Sequence, residues 1–405
     1  MNAICLVLDR LHGGLVGAYG NTWIRTPALD RLAAEGFVCD QVFIESPELE
    51  RLYEGYWLGR HAMGPPTPGD ASESLPALLS AQSSHTMLLT DDPHVAGHRL
   101  SGSFQEIVEL DLPESCAPAQ KVDQTQLARC FAQAVELIET AREPFLLWCH
   151  FRSLGTVWDA PAEFRLAYRE QGDPEPSATA QVPDLVLPAD YDPDELLAWS
   201  MAYAGQVSLL DACVAALREC LLTTAAGQRT LLAVTSARGF PLGEHRRVGV
   251  CDEALYGELV QVPLLLRFPD GQGAADRTPS LVQPSDLWPT LLEWLGVPPA
   301  TPTPPAQSLM PLVRGERDAL RDRVGIRGHE AERAMVTAAW YLRHASKAEL
   351  YLRPDDRWQA NDVANRCPDT AHALDCVLSQ YEEALQSSQA SCLPPLDPSL
   401  ASGPE

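Results

Sequence analysis

Four short runs of this chain are apolar almost from end to end: Ile4–Leu8, Phe145–Phe151, Leu231–Thr235 and Val262–Phe268. A strand with one wet face alternates apolar and polar residues. A strand that is apolar at nearly every position must be covered on both faces. Between these runs the period changes to that of a helix. Leu127, Phe131, Val135 and Ile138 form one stripe, and Val207, Leu210, Val214, Leu217 and Leu221 a longer one. Thr26–Gly36 opens with a capping Thr and Pro27 and closes with Gly36. Ser285–Leu295 reads as a further helix, ended by Gly296 and a proline-rich stretch to Pro305. Covered strands alternating with amphipathic helices predict an α/β fold, a large mixed, mostly parallel sheet flanked by helices.

The chain has 405 residues, room for two or three domains or one large domain with an appendage. The α/β pattern runs over 1–316. It is interrupted at Gly64–Asp70, rich in Pro and Gly, and at 171–193, where five prolines and many acids predict a solvated surface excursion. After Gly315 the character shifts. Met335–Leu342 and Glu349–Leu352 read as antiparallel strands and Pro368–Gln386 as a closing helix, so a small C-terminal α+β subdomain is expected over 317–386. The Ser/Pro-rich stretch 387–405 is expected to be a disordered tail.

Charge narrows the function classes. Lys and Arg number 30 against 55 Asp and Glu, a net charge of −25. Such a surface repels phosphate backbones, so neither nucleic acid nor an anionic membrane is an expected partner. No run of about 18 consecutive apolar residues predicts a membrane span. Met1–Asp9 carries no basic n-region and reads as a buried strand. The 11 cysteines form no CxxC or Cys/His cluster. Reduced, buried thiols and a cytoplasmic location are therefore expected. Nothing in the pattern specifies an oligomeric state.

A series of short segments carries a family resemblance. They are Leu6-Val7-Leu8-Asp9, Gly17-Ala18-Tyr19-Gly20-Asn21, the Thr26–Gly36 helix, Ser46-Pro47 with Leu58-Gly59-Arg60, and Tyr203–Asp211. They continue with Leu242-Gly243-Glu244-His245, Val262–Pro269, Ser285–Leu292, Ser308–Gly315 and Glu349-Leu350-Tyr351. In number, order and spacing they resemble the sulfatase family of the alkaline-phosphatase superfamily. The resemblance implies sulfuric ester hydrolysis. It also implies a divalent cation (Ca or another) held by carboxylates, a formylglycine made from Cys or Ser, a basic residue on the sulfate and an acid for the leaving group.

Residue by residue, that machinery is missing. The first metal strand, which in the family ends in two acids, ends here in Asp9-Arg10. Ser46-Pro47 and Gly59-Arg60 keep their spacing, but the nucleophile position falls on Leu49, and Arg51 and Tyr53 replace the Pro and Arg of the maturation motif. The second metal strand, Ser-Asp-His-Gly in the family, reads Ser236-Ala237-Arg238-Gly239. The expected lysine falls on Val250 and the expected central histidine on Gly155.

The resemblance therefore implies a sulfatase-like pseudoenzyme with vestigial metal positions Asp9, Arg10, Ala237 and Arg238 and no metal. Asp9 is expected to be neutralised by Arg10, Arg238 or both. Candidate pocket residues are Ser46, Glu48, Glu50, Gly155, Trp158 and His245, with a small oxyanion or a sulfated molecule as ligand. Each has a structural alternative: a capping hydroxyl for Ser46, Thr235 and Ser236, solvated charge for Glu48 and Glu50, packing for Trp158 and His245. His61 and His245 are candidate bases by number, but nothing in the sequence places either beside a serine; His12 reads as a turn residue, and His85, His94 and His98 lack a ligand set. An active sulfate or phosphate ester hydrolase using other residues is the competing reading.

Overall fold

A computed structural model describes residues 1–65, 70–113, 115–298, 305–387 and 393–401. The main sheet is built from β1 (Asn2–Leu8), β2 (Phe37–Phe43), β3 (His85–Thr90), β4 (Glu106–Glu109), β5 (Phe145–Phe151), β6 (Thr230–Thr235), β7 (Gln261–Arg267) and β8 (Asp276–Val282). Their spatial order is β8-β2-β7-β6-β1-β5-β3-β4. All run parallel except β7, which is antiparallel to both β2 and β6. The flanking helices are α1 (Pro27–Glu35), α2 (Leu49–Leu58), α3 (Leu75–Ala81), α4 (Gln126–Thr140), α5 (Pro193–Thr223) and α6 (Leu287–Trp294).

The continuous apolarity of β1 follows from this layering. Ala3, Cys5 and Val7 point into the layer that holds α2, α3 and α6, whereas Ile4, Leu6 and Leu8 point into the layer of α1, α4 and α5. Strands β2, β3, β4 and β8 escape the run criterion because polar residues interrupt them; β4 at the edge reads Glu-Ile-Val-Glu.

One local reading changes. Thr26 does not cap α1 with its side chain; its hydroxyl accepts from Gly17 N instead. The cap comes from Asp211 on α5, whose carboxylate accepts from Ala28 N and Leu29 N at 2.9–3.1 Å. Burial raises the Asp211 pKa to about 6. Gly36 does close α1, with extended backbone. A Cβ there would meet the Leu266 carbonyl oxygen at 2.4 Å, so the residue is set by the close approach of β7.

Helix α5 uses its apolarity for the core. At 31 residues it is long and apolar enough, by composition, to cross a membrane. Its apolar surface is spent inside the molecule, with Met201–Val207, Leu209 and Leu210 buried against the α1 and α4 layer. The segment 171–193 is irregular but pinned. Ala180 and Leu187 are buried, and Leu185–Val186 pairs with Arg247–Val248.

The C-terminal part is a four-stranded antiparallel sheet, β9 (Arg323–Arg327), β10 (Arg333–Thr337), β11 (Trp340–His344) and β12 (Ala348–Leu352), packed by α7 (Pro368–Gln386). Met335–Leu342 is thus split by a turn into two strands. Within the expected tail, residues 393–401 are ordered. Leu396 and Leu400 are buried, and Thr337 Oγ1 donates to the Leu400 carbonyl at 3.0 Å. Two leucines give this segment enough apolar surface to dock. Residues 388–392 and 402–405, and 66–69 of the earlier Pro/Gly stretch, lie outside the described residues.

Candidate functional site

The site lies at the C-terminal ends of the parallel strands, where chain reversals bring together groups far apart in sequence. Asp9 N donates to Phe151 O and Arg10 N to Arg238 O, both at 2.8 Å, tying together the ends of β1, β5 and β6. Arg10 adopts a left-handed φ of +69°, which costs a non-glycine residue about 1 kcal/mol or more. Tyr203 Oη holds it there by donating to its carbonyl at 2.8 Å. Ser236 is consumed structurally: its hydroxyl contacts Leu8 O at 2.5 Å and accepts from Leu11 N at 3.2 Å.

Two guanidiniums and two carboxylates close on one another at this point. Arg238 grips Asp9 as a fork, Nε to Oδ1 at 3.0 Å and Nη2 to Oδ2 at 2.5 Å. Its Nη1 donates to Asp252 Oδ2 at 2.9 Å. Arg10 Nη1 lies 2.7 Å from Asp252 Oδ1, and its Nε 3.9 Å from Asp9 Oδ2. The Arg10 approach is not along an N–H direction, so it is a charge contact and leaves both Nη atoms buried without a hydrogen-bond acceptor. Burial alone would raise the Asp9 pKa. Arg238 first and Arg10 second outweigh it and hold the carboxyl well below its ordinary range. Burial opposes the charge on Arg238 as well, and Asp9 and Asp252 overcome it, pushing that pKa above its ordinary value.

Gly155 makes this packing possible. A Cβ at that position would sit 2.6 Å from Arg10 Cγ. The Arg at 10 and the Gly at 155 are therefore sterically linked, a relation that no spacing in the sequence discloses.

The donors here do not suit a divalent cation. Calcium takes six or more oxygens and magnesium a near-octahedral set. Here both Asp9 oxygens are committed to Arg238, Asp252 is shared between two guanidiniums, and Ala237 contributes no donor. Among the described residues no group of three or more His, Cys, Asp or Glu side chains is placed to hold a metal ion.

A cleft of about 500 Å³ opens beside the charge cluster. Leu49 starts α2 at its rim, flanked by Glu48 and Glu50. Neither acid reaches Asp9. Glu48 pairs with Arg51 at 3.0 Å and faces His329 at 3.6 Å; Glu50 faces His98 at 3.3 Å. The other pocket candidates are corrected. Ser46 is fully buried and accepts from Glu48 N. Trp158 is fully buried, donates from Nε1 to Leu154 O at 2.8 Å and packs on Tyr203 and Phe240, so it presents no face to a ligand. Gly155 faces Arg10. His245 bonds Glu258 at 2.7 Å and Gln359 O at 3.0 Å and stacks on Tyr256, bracing the C-terminal subdomain.

Several site residues went unread in the sequence. Asp252 sits in a loop without pattern. Tyr53, one turn after Leu49, bonds His150 Nδ1 at 2.6 Å, and His150 Nε2 lies 3.6 Å from Asp92 Oδ2. A histidine inside an otherwise apolar strand was the available signal. Glu45, fully buried at the end of β2, accepts from Ser285 N at 2.9 Å. Burial raises its pKa from 4.5 to about 7. The folded protein therefore keeps a proton that the unfolded chain releases above about pH 4.5, and stability falls as pH rises through that window. Replacing Glu45 by Gln is expected to leave stability at pH 5 nearly unchanged and to raise it at pH 8 by up to about 3 kcal/mol, read by urea denaturation at the two pH values.

Comparison with known proteins places this geometry in a family. The family model described as Sulfatase matches residues 1–297. A Delta 4,5-hexuronate-2-O-sulfatase of Bacteroides thetaiotaomicron is 21% identical over 352 residues, 78% of this chain and 72% of that protein. Among solved structures, a phosphonate monoester hydrolase of Agrobacterium radiobacter aligns with a TM-score of 0.77 at 17% identity, over 97% of this chain and 96% of its own. A protein solved with its substrate D-glucosamine-2-N,6-O-disulfate aligns with a TM-score of 0.75 at 16% identity, over 95% and 98%. The match along the α/β core and the shared architecture of sheet and C-terminal subdomain agree: this chain belongs to the sulfatase family.

Proposed function

We propose that this chain is a catalytically silent sulfatase, a binding or regulatory protein on a hydrolase scaffold. The observation that carries the reading is the closed Asp9–Arg238–Asp252–Arg10 cluster standing beside Leu49. Leucine has no nucleophilic atom, and loss of a nucleophile alone can cost a factor on the order of a million in rate. Two guanidiniums in place of a dication supply charge but no metal-bound nucleophile and no Lewis acid.

The same cluster bears on ligands. Two of the three names reported above carry a sulfatase of a sugar or a sulfated sugar, and a sulfated molecule or small oxyanion is the ligand class proposed for the cleft. Arg238 is the guanidinium that lines it, already engaged by Asp9 and Asp252, while Glu48 and Glu50 stand at the rim. An oxyanion must compete with two carboxylates, so binding is expected to be weak.

One observation favours a second reading. Tyr53 lines the cleft, and its hydroxyl, His150 and Asp92 stand in the order nucleophile, base, orienting acid. Weighing against it, Tyr53 is fully buried and burial pushes its phenol well above its ordinary pKa.

The test is metal analysis of the purified protein together with aryl-sulfate and aryl-phosphate assays. Background turnover and no stoichiometric Ca, Mg, Mn or Zn are expected. Turnover abolished by Asp9→Ala, or a bound dication, would sink the proposal; turnover abolished by Tyr53→Phe would establish the second reading.

A further inference from the structure

A second cleft, of about 510 Å³, lies where the C-terminal subdomain meets the α/β core, and no residue lines both it and the cleft beside Asp9. Its volume is that of a small-molecule site. Tyr19, Phe43 and Arg277 form part of the core wall; Arg353, Arg357 and Trp358 form the facing wall.

Arg353 is the informative residue. It follows β12 and lies over the Phe43 ring at 5.1 Å. Its Nη1 donates to Thr337 O at 2.6 Å and its Nη2 to Gln41 Oε1. Every partner is neutral, and among the described residues no carboxylate stands within ion-pair distance of it. Arg238, Arg321 and Arg343, all shielded from water, each hold an acid. Arg165 does not, but three carbonyls accept from it and it lines neither cleft. Burial uncompensated by a carboxylate pushes the Arg353 pKa down to about 10.

A second cation shares this wall. Arg357 lies over the exposed Trp358 ring at 4.4 Å and has no carboxylate partner among the described residues. Asp356, between the two arginines, spends its oxygens on Ala360 N and Asn361 N at 3.0 and 2.8 Å. Arg277 is already matched by Asp40 at 2.7 Å, and Glu258 by His245. In a chain of net charge −25, one cleft wall thus carries two guanidiniums that no carboxylate among the described residues pairs, beside an exposed aromatic face; Asp356 lies on the same wall but is turned to backbone N–H groups.

We propose that this cleft binds a small ring-bearing organic anion, its anionic group held by Arg353 and Arg357 and its ring laid against Trp358. The site stands independently of whether the first cleft is catalytically silent.

Calorimetric titration of the full chain with benzoate and with phenyl phosphate tests it, with benzyl alcohol as the uncharged control. Saturable binding of at least one anion and none of the alcohol is expected; which anion binds tells carboxylate from phosphate. Arg353→Met and Arg357→Met are each expected to weaken binding roughly ten- to a hundredfold, and Trp358→Ala about tenfold. If Arg353→Met fails to fold, Arg357→Met and Trp358→Ala, both changes of exposed side chains, decide the matter. Absence of saturable binding below about 10 mM, equal binding of benzyl alcohol, or affinity unchanged in both surface variants would overturn the proposal.

Discussion

Replacing Arg238 by Met is expected to cost about 3–5 kcal/mol of folding stability at pH 7, the largest single-residue effect in the site. The change removes the fork on Asp9 and leaves a buried carboxylate whose remaining ion-pair partner among the described residues is Arg10, at 3.9 Å. Arg10 can recover part of the loss, so the lower end of the range is expected. The pH dependence separates this from a packing effect. In the intact protein the Asp9 pKa is depressed, so its contribution is present above the ordinary aspartate value and is lost as pH falls toward the depressed one. In the variant that carboxyl titrates upward instead, and the gap between the two proteins should narrow on going from pH 7 to pH 4. Asp9→Leu combined with Arg238→Met should cost far less than the two single changes added together, because no charge is then stranded. Urea denaturation of the four proteins measures all of this. A gap independent of pH, or additive single costs, would contradict the account.

The second large effect is a gain. Arg10→Asp, Ala237→Asp and Arg238→His together rebuild the acid pair and the Asp-His pair that the family places at these strand ends. Without metal the triple variant gathers four carboxylates, Asp9, the two new ones and Asp252, and should be less stable than the parent. With calcium at a hundred times its dissociation constant, mass action returns about 3 kcal/mol. Thermal unfolding with and without calcium is the readout. A calcium-dependent rise in Tm is expected for the triple variant and none for the parent. A folded triple variant indifferent to calcium would mean that more than these three substitutions stands between the present site and a metal centre. Leu49 remains in either protein, so ester hydrolysis is not expected to return with the metal.

What was legible in the sequence has a common cause. β1, β5, β6 and β7 could be read because burial on both faces demands apolar residues throughout, a constraint written locally. Strands β2, β3, β4 and β8 could not, since polar interruptions weaken the run and the evidence for them is their pairing. Which residues stand at the family's motif positions was likewise readable, because Asp9, Leu49, Ala237 and Arg238 keep a fixed order against recognisable neighbours.

Other features depend on groups that only the fold brings together. Asp252 joins Arg10 and Arg238 from a loop with no pattern of its own, and Gly155 yields space to Arg10 from 145 positions away along the chain. Asp211 caps a helix it does not belong to, in place of the Thr26 that local rules select. The cleft around Arg353 exists only where two substructures meet. By itself, then, the sequence determined the layered α/β core and which residues stand at the family's motif positions, because burial and side-chain chemistry act residue by residue. The tertiary structure decided which charges neutralise one another and which arginines are left without an acid, because Coulomb energy depends on distance through space and not along the chain.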